Sequence, residues 1–189
     1  MATKVKKESR LEKISKYFLI NLLLSFIGWG YETLLMLILA GELQNRGFLS
    51  LPLCPIYGCT LMAVYFLLGT PDEGRGLLKR VYDPIKRRLL YLLGAFTAPT
   101  VAELIVGAYF DKFHGVWLWS YHGLPLNFRG YVSLPISVLW AVMIFLFMKF
   151  IFPTLKRWVF RLPKVLATAL AIALLSVLLA DLVKCYLAM

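Results

Sequence analysis

The chain has 189 residues, of which 60% are hydrophobic, and its mean hydropathy is +0.75. A soluble domain of this length is closer to half apolar and keeps much of its surface in water, so the composition excludes an ordinary water-soluble globule. The formal net charge of +11 would indicate a nucleic-acid partner in a soluble protein. Here the basic residues lie between long apolar segments, so membrane lipids are the expected partners and no nucleic acid is predicted.

Five apolar segments follow a basic N-terminal tail, and each is close to the roughly 20 residues that cross a bilayer as a helix. In chain order they cover residues 17–40, 48–69, 89–110, 131–152 and 165–187. The sequence therefore predicts an all-α fold, a polytopic membrane helix bundle of about five transmembrane helices. We expect one transmembrane domain over residues 15–189, after a cytoplasmic basic tail over residues 1–14.

The second segment has the least regular start of the five. It is interrupted by Pro52 and Pro55, and proline both removes a backbone donor and clashes with the preceding helical turn. Non-helical backbone at membrane depth is tolerated where other parts of the protein bury it. We therefore expect a broken or re-entrant entry that becomes regular helix at Ile56.

The positions of the charges predict an orientation. Most of the 21 lysines and arginines lie before the first segment, between the second and third, or between the fourth and fifth. An excess of these residues marks the cytoplasmic side of a membrane protein, so the predicted topology is N-in and C-out. The expected location is the inner membrane of a bacterial cell.

The sequence gives little support for metal, cofactor or nucleotide chemistry. Cys54, Cys59 and Cys185 form no CxxC pair, and His114 and His122 share a loop without a third ligand at metal spacing. A Walker A motif is absent, so P-loop ATP hydrolysis by this chain is excluded. We predict no metal and no cofactor.

Two carboxylates inside the apolar segments are the strongest functional candidates, because ionisable groups in hydrocarbon are costly. At 1.5 Å per residue, Glu32 and Glu103 lie roughly 22 and 21 Å from the inner ends of their segments. This equal depth predicts a shared polar site in the outer half of the membrane. The alternative is that each carboxylate holds helices together through Ser, Thr or Tyr on a neighbour.

In the last segment, Asp181 and Lys184 have the spacing of a helical ion pair, which is the expected role for both.

The two outer loops carry polar side chains that suit ligand binding. Amide and guanidinium groups there are suited to a phosphate or carboxylate, and aromatic residues alternate after residue 116. We expect both loops to fold inward over the carboxylates, with at least one arginine within reach of them. Membrane anchoring of the aromatics and headgroup contacts of the arginines are the alternatives. The predicted binding residues are Glu32, Glu103, Asn45, Arg46, Tyr57, Trp119, Tyr121, Asn127 and Arg129.

Several motifs resemble one known family. The runs are GWGYETLL (28–35), NRGFLSLPLCPIYG (45–58) and WLWSYHGLPLNFRGYVSL (117–134), followed by Ser137 and Trp140. Together with Glu103, they are similar to the CmpB-like, type IV ABC-transporter family of membrane proteins, over roughly residues 15–155. This family usually has an acidic residue in W-D-Y, where this chain has Ser120. The resemblance implies a permease, and the last segment lies outside it.

These observations favour a small membrane permease or transporter component with an outward-facing polar site for a small solute or a lipid headgroup. The alternatives are a membrane enzyme acting on a lipid-linked substrate at the outer leaflet and an accessory scaffold protein. No nucleophile–base pair is evident, which favours transport over catalysis. Five helices are few for a solitary carrier, so we expect a homodimer or a partner subunit. If that partner is an ATPase, the basic loop over residues 70–88 is its docking surface.

Overall fold

The computed structural model describes residues 9–41 and 48–188, and the regular secondary structure in these ranges is helical apart from one hairpin of two-residue strands. The helices are α1 (Arg10–Ala40), α2 (Pro55–Leu68), α3 (Pro84–His114), α4 (Leu134–Leu146), α5 (Phe152–Phe160) and α6 (Lys164–Leu187). The hairpin pairs β1 (Asn127–Phe128) with β2 (Val132–Ser133) in antiparallel register. The all-α prediction is confirmed.

The predicted number of about five membrane helices is also confirmed. Four stretches of the described chain are long and apolar enough to span a bilayer, namely Arg10–Ile38, Pro84–His114, Leu134–Phe160 and Lys164–Leu187. The fifth is α2, whose 14 residues extend about 21 Å, less than the roughly 30 Å of hydrocarbon.

The first helix begins earlier than the apolar pattern suggests. The side chain of Ser9 accepts a hydrogen bond from the backbone N–H of Glu12, an N-cap arrangement that starts α1 at Arg10. Residues 10–14, assigned to the tail by sequence, therefore belong to this helix, while residues 1–8 lie outside the described residues. At the other end, Gly41 closes the helix with a left-handed φ of 71°.

The entry to α2 is non-helical, as its prolines predict, and regular helix begins at Pro55, one residue before the expected start. The backbone over residues 48–54 finds its partners on other elements. The N–H of Cys54 donates to the carbonyl of Ser25 at 3.0 Å, and the N–H of Leu51 donates to Asp181 Oδ2 at 3.0 Å. These contacts satisfy polar groups that lipid would leave unpaired.

The expected ion pair between Asp181 and Lys184 does not form; in the part of the chain that the structure describes, no ion pair joins these two residues. Asp181 accepts from the backbone of Leu51, whereas Lys184 Nζ lies 3.5 Å from the hydroxyl of Ser50. The i, i+3 spacing did not produce an ion pair because the backbone N–H of Leu51, from another segment, donates to the Asp181 carboxylate.

The fourth span runs further than predicted, to Phe160 rather than residue 152. A π-helical turn over Phe147–Ile151 joins α4 to α5. Its cause is Pro153, which has no N–H to donate and whose ring excludes the carbonyl one turn earlier. Lys156 and Arg157, expected in a connecting turn, consequently lie on α5.

Helix α1 organises the bundle. It packs against α2, α5 and α6, while α3 packs against both α2 and α4. The first four helices and α5 thus form a ring, and α6 lies outside it against α1. The ring is filled by buried side chains from every member, including Leu24, Val64, Tyr91, Met148 and Phe152.

At the end of the helix bundle near Tyr17, basic side chains pack against aromatic rings. The guanidinium of Arg75 lies 5.0 Å from the ring centre of Tyr65, and Lys156 Nζ lies 5.1 Å from the same ring centre. Lys16 is 2% exposed, donates to Glu12 at 2.8 Å, and thereby keeps its charge compensated. Such amphipathic contacts suit a membrane–water interface, and by the charge distribution this is the predicted cytoplasmic end.

The N-in orientation remains a prediction, and two equally exposed leucines test it. Leu77, between α2 and α3, and Leu126, before β1, are both 73% exposed. With Cys54, Cys59 and Cys185 replaced, Leu126→Cys should react with a membrane-impermeant maleimide in intact cells, whereas Leu77→Cys should react only after lysis. Labelling of Leu77→Cys but not Leu126→Cys in intact cells would reverse the orientation.

Candidate functional site

Glu103 on α3 is buried in the ring, with 8% of its surface exposed. One of its carboxylate oxygens, Oε1, accepts two hydrogen bonds, from Trp140 Nε1 at 2.9 Å and from the Tyr121 hydroxyl at 3.1 Å. The other oxygen, Oε2, is buried and has no hydrogen-bond partner among the described residues. The carboxylate is therefore held from one side only.

Glu32 on α1 accepts a hydrogen bond from the Tyr57 hydroxyl at 2.5 Å. This contact depends on Gly28, one turn before Glu32. A Cβ atom at Gly28 would lie 2.4 Å from Cγ and 2.5 Å from Cβ of Tyr57. The missing side chain lets α2 approach α1 closely enough for the phenol to reach the carboxylate.

Aromatic rings connect the two carboxylates. The Trp140 ring centre lies 5.4 Å from that of Tyr57 and 5.9 Å from that of Tyr31, both in edge-to-face geometry. Tyr57 donates to Glu32 and Trp140 donates to Glu103, and the rings of these two donors pack against each other. We call this group the glutamate cluster; its members are Tyr31, Glu32, Tyr57, Glu103, Tyr121 and Trp140.

A hydroxyl pair positions α3 against α4 beside the cluster. Thr100 donates to the Ser137 hydroxyl at 2.8 Å, and Ser137 is 1% exposed. Glu103 and Trp140 each lie three residues, close to one turn, further along the same faces of their helices. Because successive spans run in opposite directions, the long side chains of Glu103 and Trp140 reach across to form their hydrogen bond.

Tyr121 comes from the loop between α3 and α4, which folds back over the bundle. Its N–H donates to the carbonyl of Gly130 at 2.9 Å, and Trp119 Nε1 donates to the carbonyl of Tyr131 at 2.9 Å. Tyr131 in turn donates to Asp111 at the end of α3. Burial raises the pKa of the Tyr121 phenol, with further contributions from the charges of Glu103 and, more weakly, Glu32, so it stays a proton donor.

The structure separates the predicted binding residues into three groups. Glu32, Glu103, Tyr57 and Tyr121 come together in the glutamate cluster. Trp119 and Asn127 support the loop; the Asn127 amide bonds the carbonyl of Leu124 at 2.8 Å and the N–H of Gly130 at 3.2 Å. Asn45 and Arg46 lie outside the described residues.

Arg129 is placed apart from the cluster. It is exposed, has a left-handed φ of 51°, and its guanidinium lies 5.8 Å from the ring centre of Phe128. Within the described chain it forms no ion pair with either glutamate. The expectation that an arginine reaches a carboxylate therefore depends on Arg46 alone. Ser120, at the position that is usually acidic, is exposed and contacts His122 Nδ1 at 2.9 Å.

Two members of the cluster lie outside the predicted set. Trp140 and Tyr31 entered the sequence argument only through the motifs of the family resemblance. The signal for Trp140 is chemical, because a tryptophan within a span needs an acceptor for its N–H, and the acidic residues of neighbouring spans are the obvious acceptors. Across the described residues, no group of three His, Cys, Asp or Glu side chains gathers as metal ligands would.

This geometry defines a class: a small polytopic helical membrane protein with a carboxylate cluster enclosed by its helices. The family model described as "Putative ABC-transporter type IV" matches residues 17–186, nearly the whole chain, and the protein belongs to this family. The match includes α6, which corrects the narrower extent of 15–155 expected from the motifs. No match was found among curated proteins or among solved structures.

Gly28 offers a test of how the cluster is assembled. In Gly28→Ala the new methyl group would overlap the Tyr57 ring, and overpacking of this kind costs about 1–3 kcal/mol. We expect a lower thermal midpoint in detergent. The matched control is Gly30→Ala on the same helix, where no atom lies within 4 Å of the added Cβ, so its midpoint should stay unchanged or rise. Equal midpoints for the two variants would contradict the packing described for Tyr57.

Proposed function

We propose that this protein is a membrane permease subunit in which the glutamate cluster forms the binding site for a small solute or a lipid headgroup. Membership of the ABC-transporter type IV family supports the transport role. The observation that carries the site is the buried Oε2 atom of Glu103, which has no partner among the described residues.

A purely structural role does not account for this atom. A carboxylate kept only to hold helices together would be expected to have both oxygens satisfied, because each unpaired buried polar group costs about 1–3 kcal/mol. Glu103 accepts from Trp140 and Tyr121 through Oε1 alone. Binding of a ligand that contacts Oε2 would remove this penalty.

The enzyme alternative has less support. It needs an activated base beside a group that holds a phosphate, and Arg129 was one of two residues expected to do so. Its guanidinium packs on Phe128, away from both glutamates. With that donor absent from the cluster, binding and release of a ligand is the better account.

The chain needs a partner to use ATP, since it has no phosphate-binding loop of its own. The segment between α2 and α3 is the proposed docking surface for an ATPase. It contains a short 3₁₀ turn over Gly76–Leu78, and Leu77 and Tyr82 are 73% and 86% exposed there among basic residues. Exposed apolar side chains rimmed by charge are typical of protein interaction sites. A homodimer is the other assembly that we propose to test.

Ligand retention tests the proposed site. Glu103→Gln and Glu32→Gln keep the side-chain shape but remove the charge, and each should lower the amount of a co-purifying solute or lipid about tenfold or more. The measurement is mass spectrometry of small molecules and lipids extracted from the purified protein. Glu73→Gln, an exposed carboxylate between α2 and α3, is the control with the same change of charge. If both cluster variants fold and retain the same molecules as Glu73→Gln, the proposed site is wrong.

A further inference from the structure

Each hydrogen-bond donor that contacts a carboxylate of the glutamate cluster already donates its proton to that carboxylate. One carboxylate oxygen, in contrast, accepts no hydrogen bond from the described residues. Tyr57 donates its hydroxyl proton to Glu32, and Tyr121 donates its own to Glu103. Trp140 has a single N–H, and it also donates to Glu103. What remains on Glu103 is Oε2, an acceptor that is buried and has no partner in the described part of the chain.

We propose that the site binds a ligand through a positively charged ammonium group, which donates to Glu103 Oε2. This inference rests on the proposed function and names its class of substrate. An ammonium group supplies donors and no acceptor, so it complements the hydrogen bonding that the cluster leaves open. It also offsets negative charge that no lysine or arginine of the described chain neutralises at Glu103 by an ion pair.

The aromatic members of the cluster support the same class of ligand. The ring centres of Tyr57 and Tyr31 lie 5.4 and 5.9 Å from that of Trp140, which donates to Glu103. Aromatic faces attract cations, and the attraction is stronger where water is excluded. A carboxylate or phosphate ligand would instead meet like charge from Glu103, whose Oε2 atom already lacks a hydrogen-bond donor among the described residues.

Two sources of ammonium fit these contacts: a free amine, and the headgroup of phosphatidylethanolamine. The cluster lies in the outer half of the predicted membrane span, beneath a loop that contributes Tyr121. Both a solute from outside and a headgroup from the adjacent leaflet are therefore reasonable, and the chemistry at Oε2 is the same for each. An experiment with separate arms distinguishes them.

The first arm uses ligands of similar size and different charge. Ethanolamine, ethylene glycol and glycolate are titrated by calorimetry into the protein in phosphatidylglycerol nanodiscs at neutral pH. We expect saturable binding of ethanolamine only, weakened about tenfold or more in Glu103→Gln and unchanged in Glu73→Gln. The comparison of the three ligands uses the unmodified protein, so it remains decisive if the variant fails to fold.

The second arm uses lipids. Native mass spectrometry of protein from mixed membranes should show phosphatidylethanolamine retained over phosphatidylglycerol if a headgroup is the source, and Glu103→Gln should abolish that preference. Ethanolamine binding without lipid preference identifies a free amine, and lipid preference without ethanolamine binding identifies the headgroup; either result supports the ammonium site.

Two results would overturn the inference. Binding of glycolate or ethylene glycol that Glu103→Gln removes would exclude a cation-selective site while leaving the permease proposal intact. If none of the three probes binds and no lipid is preferred, the ammonium site is wrong, and the permease proposal is then judged by its own co-purification test.

Discussion

The hydrogen bond from Trp140 to Glu103 joins α4 to α3 within the glutamate cluster, and the packing of the outer half of the bundle depends on it. The pair fixes α3 against α4, with Thr100 and Ser137 repeating the connection one turn away. In hydrocarbon, a polar group without an internal partner is costly, so such contacts determine which helix faces can meet. Tyr57 packs against the Trp140 ring and, through its hydrogen bond to Glu32, brings α1 and α2 into the same group.

The segment before α2 shows the same constraint acting on backbone. Residues 48–54 are not helical, so their N–H groups need partners from elsewhere in the protein. Ser25 on α1 and Asp181 on α6 supply two of them. This contact gives Asp181 a structural role, and it ties α6 to the non-helical segment before α2. A polar side chain in a span can thus bind another part of the fold, as Asp181 does, or keep a buried oxygen without a partner among the described residues, as Glu103 does.

Periodicity and composition were sufficient to predict the class of fold, because the membrane imposes length and polarity on every span. The depth argument predicted one shared site for Glu32 and Glu103, and the rings of Tyr57 and Trp140, which donate to these two carboxylates, lie 5.4 Å apart. Contacts between elements were harder to predict. Asp181 and Lys184 have the spacing of a local pair, yet a backbone group from another segment binds the acid. Similarly, the sequence alone does not show whether an arginine points toward the carboxylates, and Arg129, in a hairpin turn with a left-handed φ, packs on Phe128 instead.

The π-helical turn between α4 and α5 determines how α5 is rotated about its own axis, and therefore which of its side chains face the bundle. A turn of this kind contains one more residue than an α-helical turn, and one residue corresponds to about 100° of rotation. The buried faces of Phe152 and Val159 are therefore aligned with the ring only because the extra residue is present. Loss of one residue from Phe147–Ile151 would leave a smoother helix of nearly the same length, but it would turn the apolar stripe of α5 away from α1 and present Lys156 and its neighbours at a different angle. The π-helical turn therefore changes the rotation of α5 about its axis much more than it changes the length of the span.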